Sequence, residues 1–166
     1  MIVVSDSTPL ITLMKAMRLD VLFKLFGEII IPEAVYQELT TNNNFPDEII
    51  QIKTSKFIRV VSIQDRKTVS VLQRATGLDI GESEAIVYAD DIQADILLID
   101  EVSGRRVATD MGLDIMGSIG VLIAAFKEGY ISLSEADDAF QNIRNANRHI
   151  SEKLIDDALE IIHSVK

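Results

Sequence analysis

The chain has 166 residues, no cysteine and a formal net charge of −10 at pH 7. That length suits one domain, and a content of 48% hydrophobic against 25% charged residues belongs to a chain that buries a core. Disulfide frameworks, thiolate metal sites, iron–sulfur clusters and cysteine nucleophiles are excluded.

In chain order, short apolar runs alternate with helical patterns. Ile2-Val3-Val4 is a strand that ends at Ser5-Asp6. Thr8-Pro9 then opens a helix, with a hydroxyl as cap and proline at the first helical position. Leu19 to Phe26 continues helically and stops at Gly27. Glu28 to Ile31 is a buried strand, and Pro32 starts a helix to about Thr40. After the Asn42-Asn43-Asn44 loop, Pro46 begins a short helix to about Lys53. Phe57 to Val61 is β-branched and strand-like, and Asp65 to Ala75 is helical, ending near Gly77. A clear helix spans Gly81 to Asp91, and Ile96 to Ile99 is a buried strand ended by Asp100-Glu101. A helix from about Ser103 to Met111 leads to a short strand near Asp114 to Met116. Gly117 to Lys127 is an apolar helix ended by Gly129. Two polar-faced helices, Ser134–Asn145 and Ser151–Ser164, close the chain with Ser134 and Ser151 as caps.

Apolar strands alternating with helices indicate a parallel sheet covered on both faces. The expected fold is therefore three-layer α/β/α around a central parallel five-stranded sheet, with a C-terminal helical extension from about residue 130. In such sheets ligands sit beyond the carboxyl ends of the strands.

The chemistry at those ends is carboxylate. No phosphate-binding glycine loop, dinucleotide fingerprint or nucleophile elbow is present. Asp6 ends the first strand and Asp100 the fourth, so both emerge on one edge of the sheet. Glu38, in the helix after the second strand, and Glu84, in the helix before the fourth, are placed to join them. Bare acids from four elements would repel one another, and a hard divalent cation with a preference for oxygen ligands removes the conflict. Such a site activates water and stabilises the leaving oxygen in phosphodiester cleavage. Glu82 rivals Glu84: two residues apart is about 200° around a helix, so the two cannot face the site equally. Glu84 is preferred. Each acid also has a plainer reading, as a helix-terminal dipole partner for Asp6 and Asp100 or as a surface helix residue for Glu38. Ser7 and Thr8 are caps that also stand where a hydroxyl orients Asp6. Arg105 and Arg106 read equally as phosphate contacts and as a helix-surface pair.

The ordered stretches V-V-S-D-S-T-P-L-I (3–11), I-I-I-P-E-A-V-Y-Q-E-L (29–39), G-L-D-I-G-E-S-E-A-I (77–86), L-L-I-D-E (97–101), G-R-R-V-A (104–108) and G-L-D-I-M-G-S-I-G-V-L (112–122) resemble PIN domains, in particular a subfamily similar to VapC-type toxin nucleases. The resemblance covers nearly the whole chain, residues 1–166 as one PIN-like domain. It implies a Mg²⁺- or Mn²⁺-dependent endoribonuclease with Asp6, Glu38, Glu84 and Asp100 at the acidic positions, an RNA substrate, a small antitoxin partner and a homodimer. PIN domains commonly carry aspartate before alanine where this chain has Glu84-Ala85, which makes Glu84 the least secure of the four. A housekeeping RNA-processing nuclease and a degenerate, protein-binding PIN scaffold are the alternatives. A receiver or a haloacid-dehalogenase-like phosphatase fits poorly. The latter wants a second aspartate two residues after Asp6, where Thr8 stands, and a receiver wants an acidic pair near the first strand end.

Further expectations follow from the residues. The longest uncharged run, Ile115 to Phe126, falls short of the roughly 20 residues a membrane span needs. The N-terminus lacks the basic start of a signal peptide, which makes the cytoplasm the expected location. His149 and His163 are ordinary surface or packing residues. The net charge opposes a grip on nucleic acid by bulk electrostatics. Residues 51–75 depart from it, with Lys53, Lys56, Arg59, Arg66, Lys67 and Arg74 against Asp65 alone. That segment reads as a solvated helix face or, alternatively, as a phosphate-contacting patch.

Overall fold

A computed structural model describes residues 1–146 and 150–165, so His149 lies outside the described residues. The elements are β1 (Val3–Ser5), α1 (Ser7–Lys15), α2 (Asp20–Phe26), β2 (Ile29–Pro32), α3 (Glu33–Thr41), α4 (Pro46–Thr54), β3 (Ile58–Val61) and α5 (Arg66–Thr76). There follow α6 (Ile80–Asp91), β4 (Ile96–Leu98), α7 (Val102–Asp110), β5 (Ile115–Met116), α8 (Ser118–Lys127), α9 (Leu133–Asn145) and α10 (Glu152–Ser164).

The five strands form one sheet in the order β3-β2-β1-β4-β5, and every pairing is parallel. Strand side chains alternate between two cores, as a period of two requires. Val3, Ile29, Ile31 and Leu98 pack on one face, with α1, α2, α8, α9 and α10. Val4, Ile30, Leu97 and Ile99 pack on the other, with α6 and Ala108 of α7. This is the expected three-layer α/β/α arrangement. The closing helices contribute Phe140, Ile143, Ile155 and Ile162 to the same core as Leu10 and Ile29.

The chain winds outward from β1 in both directions, and the order reverses between β1 and β4. Parallel pairing of Ser5 with Leu98 brings the carboxyl ends of these two strands side by side. The Asp6 N–H donates to the Leu98 carbonyl at 3.0 Å and extends that pairing by one residue. A crevice at such a reversal point is where open α/β sheets bind ligands.

Several helix starts differ from the sequence reading. The first helix begins at Ser7 with Asp6 at its N-cap, two residues before the expected start at Pro9 with Thr8 as cap, and Pro9 falls at the third position. Pro32 ends β2 and caps α3 instead of starting it. Asp79 caps α6 through a reciprocal box with Glu82, which puts the helix start at Ile80 rather than Gly81. Ser132, not Ser134, caps α9, in a second reciprocal box with Glu135. In each box the carboxylate three residues on satisfies the cap's own N–H, and this locates the start more firmly than the hydroxyl of Ser134 inside the first turn.

Candidate active site

Asp6 sits where β1 hands over to α1. It is 1% exposed, although its side chain makes no capping hydrogen bond. Its Oδ1 is buried without a hydrogen-bond partner. An orphaned carboxylate oxygen is costly, because burial removes water and nothing replaces it. Burial pushes the Asp6 carboxyl up to about 8, and the neighbouring Glu82, Glu38 and Asp79 carboxylates push the same way against the nearby Ser7 N–H.

Glu82 occupies the first turn of α6. One oxygen reaches back to the Asp79 N–H at 3.3 Å, while Asp79 Oδ1 accepts from the Glu82 N–H at 2.8 Å. The other oxygen, Oε1, is buried and without a partner. It lies against Gly104 of α7, where an added Cβ would stand 2.9 Å away. Burial and the Asp79 charge raise the Glu82 carboxyl, with Glu101 and Glu38 adding to the effect. Glu38 reaches over the start of α6, where a Cβ on Gly81 would meet its Oε1 at 3.4 Å and Asp79 Oδ1 at 3.5 Å. Glu38 as a residue is exposed, yet loss of solvent at its carboxyl raises it, and the Ser7 hydroxyl partly offsets the shift.

Asp100 follows β4 and turns toward α8. Its Oδ1 accepts from the Ser118 N–H at 2.7 Å and its Oδ2 from the Ser118 hydroxyl at 2.9 Å. Gly117 permits this approach, since a Cβ there would stand 2.9 Å from Asp100 Oδ1. Arg105 Nη1 donates to the Ile99 carbonyl at 2.8 Å, so this arginine braces the turn that carries Asp100. Arg106 is exposed.

Glu84 departs from expectation. It is 3% exposed, but its Oε2 accepts from the Ala34 N–H at 3.0 Å and its Oε1 pairs with Arg66 Nη1. Both oxygens are thus engaged on the α3–α5 side of α6. Glu82, about 200° around the same helix, lies against α7 instead, and its charge acts on the Asp6 carboxyl. The structure brings Asp6, Glu38, Glu82 and Asp79 together and places Asp100 on the adjoining strand end. Asp79 was missed by sequence reasoning. The spacing Asp79-x-x-Glu82 is a capping-box signature and carried the signal, since phasing α6 from Asp79 puts Glu82 in the first turn. His163 pairs with Asp137 on the surface at 2.8 Å, away from these acids.

The donor set is all oxygen, which suits Mg²⁺ or Mn²⁺. Among the described residues no three carboxylates close around one point as they stand. The orphaned oxygens of Asp6 and Glu82 nevertheless lack the positive partner that buried carboxylates need, so the residues fit a cation.

An all-parallel α/β fold with carboxylates massed at its reversal point defines the class of this protein. The family profile described as PIN domain matches residues 2–164, and the chain belongs to that family. PIN domains are generally nucleases, typically with divalent metals. No curated protein matches the chain. No helix among the described residues is long and apolar enough to cross a membrane.

Proposed function

We propose that the protein is a Mg²⁺- or Mn²⁺-dependent endoribonuclease. The observation that carries this reading is the pair of buried, unpartnered oxygens, Asp6 Oδ1 and Glu82 Oε1, within a group of acids at the sheet's reversal point. Asp6, Glu82, Glu38 and Asp100 are the residues that would hold the cation, with Asp79 behind Glu82. Glu84 leaves that set because both of its oxygens are engaged elsewhere. A bound divalent cation would supply an activated water and charge stabilisation at the phosphate.

The chain's own residues do the positioning. Ser118 orients Asp100 through two hydrogen bonds, and the box with Asp79 sets the rotamer of Glu82. The Asp6 N–H keeps its backbone in the sheet, so the Asp6 carboxylate projects from a rigid strand end. Rigid attachment holds a scissile phosphate within the narrow tolerance that in-line displacement needs.

The likeness to VapC-type nucleases supports a place as the toxin of a toxin–antitoxin pair. A small antitoxin partner, homodimerisation and a cytoplasmic location follow from the same likeness. We also read the whole chain as one domain, because its closing helices share the main core.

The test is incubation of purified protein with a mixed RNA pool in Mg²⁺, Mn²⁺ or chelator, alongside Asp6→Asn and Asp100→Asn. Metal-dependent cuts that vanish in both variants are the expected result. Cutting that survives both would overturn the site, and absence of any divalent-cation binding would favour a degenerate scaffold.

A further inference from the structure

The basic segment 51–75 divides by its place on the sheet. Lys56 precedes β3 and Arg59 lies near its start, where it pairs with Glu28 at 3.0 Å, so both stand at the amino edge of the sheet. Arg66 and Lys67 follow β3 and open α5, at the carboxyl edge that carries the acids. A groove of about 590 Å³ runs along this edge, with Glu38 of the acid group and Gln37 and Thr41 on α3, and Ser62 and Arg66 on the β3–α5 side. Arg66 is the only cation among the described residues that line it, and Glu33, Glu38 and Glu84 are acidic, Glu84 being paired with Arg66.

The Arg66 side chain is 56% exposed while its partner Glu84 is 3% exposed. One guanidinium nitrogen is held by a carboxylate that the Ala34 N–H fixes in turn. The remaining donors of the five-donor fork are left toward the groove and solvent. Glu84 thus fixes one side of the guanidinium, and an arginine fork can match phosphate oxygens bidentately.

We propose that this groove is the path of the single-stranded substrate on one side of the scissile bond. Arg66, held by Glu84, contacts a flanking backbone phosphate, and Lys67 adds to the local field. The proposal rests on the reading of the chain as a ribonuclease. It gives Arg66 a role in strand placement and Glu84 a role in placing Arg66.

The test is binding of a short labelled polyuridine RNA by fluorescence anisotropy across a salt series, in Mg²⁺ and in chelator, with the RNA checked intact afterwards. Arg66→Gln is expected to weaken binding roughly three- to tenfold and to reduce the log–log salt slope by about 0.7, the value for one single-strand phosphate contact. Arg66→Lys should recover part of the slope. Because Arg66→Gln strips a buried carboxylate of its partner, Lys67→Gln serves as a second variant that leaves the core untouched, with a smaller loss in the same direction. A Lys53→Gln/Lys56→Gln double variant, of equal or larger charge loss, should change the slope less than either. Equal losses from that control would make the effect one of bulk charge and overturn the path. So would unchanged slopes in both Arg66→Gln and Lys67→Gln, or a wild-type chain that binds no RNA. Metal-dependent cutting with unchanged slopes would sink the path alone. Altered slopes without any metal-dependent cutting would sink the ribonuclease reading and leave a binding groove.

Discussion

Glu82 and Glu84 leave the same helix in different directions: Glu82 lies beside Gly104 of α7 with an unpartnered oxygen, and Glu84 lies against the start of α3 with both oxygens engaged. A separation of two residues on a helix, about 200°, makes such divergence unavoidable. One of the two belongs with Asp6, and the other ties α6 to α3 and α5.

Glutamine substitutions should therefore separate the two roles. Glu82→Gln is expected to abolish stabilisation by Mg²⁺ or Mn²⁺ while leaving metal-free stability unchanged or raised, because it removes one charge from a repelling group. Glu84→Gln is expected to lower stability by about 1–2 kcal/mol through loss of the charge-assisted bond to Arg66, and to keep the metal response. Thermal melts with and without divalent cation read both effects. A metal response lost in Glu84→Gln and kept in Glu82→Gln would reverse the assignment.

The metal-free protein should lose stability as the pH rises. Asp6 has its carboxyl raised from 3.8 to about 8 in the folded state. Between those values the folded chain holds a proton that the unfolded chain has released, so unfolding releases protons and becomes easier with increasing pH. The effect is on the order of a few kcal/mol across that window. Urea midpoints in chelator near the two ends of the window should fall for the wild type and fall less for Asp6→Asn, which keeps the raised carboxyls of Glu82 and Glu38. Added Mg²⁺ should restore wild-type stability at the upper end and do little for the variant.

Gly104 is required by close approach. An added Cβ would stand 2.6 Å from Ile99 Cδ1 and 2.9 Å from Glu82 Oε1, both inside the helix–sheet contact. Gly104→Ala should cost about 1–3 kcal/mol from overpacking, and it should displace Glu82. Reduced cutting at temperatures well below the melt would separate displacement from unfolding. Full activity in a folded variant would argue against a role for Glu82.

Ser118→Ala removes the hydroxyl that holds Asp100 Oδ2 and leaves the backbone N–H that holds Oδ1. The expected stability loss is about 1 kcal/mol. Activity should fall more than metal affinity does, because Asp100 keeps its charge but gains freedom to rotate. Titration of cation binding alongside cleavage rates checks the split.

Much of this protein is legible in its amino-acid sequence. The apolar strands ending in Asp6 and Asp100 announced a parallel sheet with acids on one edge, since buried parallel strands lack the alternation of half-exposed ones and their carboxyl ends all point the same way. Caps were harder to place. Ser134 looked as suitable as Ser132 until the reciprocal bond from Glu135 selected the latter. The pairing of Asp79 with Glu82 went unread for the same reason, although its spacing was visible.

From the sequence alone come the order of elements, the family resemblance and the presence of acids at the ends of the first and fourth strands, on one edge of the sheet. These follow from local hydrophobic period and from motifs in fixed order. Tertiary packing is needed to see that Glu84 has both oxygens engaged while Glu82 has one unpartnered, that Asp100 is held by Ser118, and that Arg66 sits at the same edge as the acids while Lys56 and Arg59 sit at the opposite one. Such facts depend on the rotational phase of α6 against its neighbours and on which end of β3 each residue adjoins. Packing of the whole chain sets both, and no local pattern encodes them.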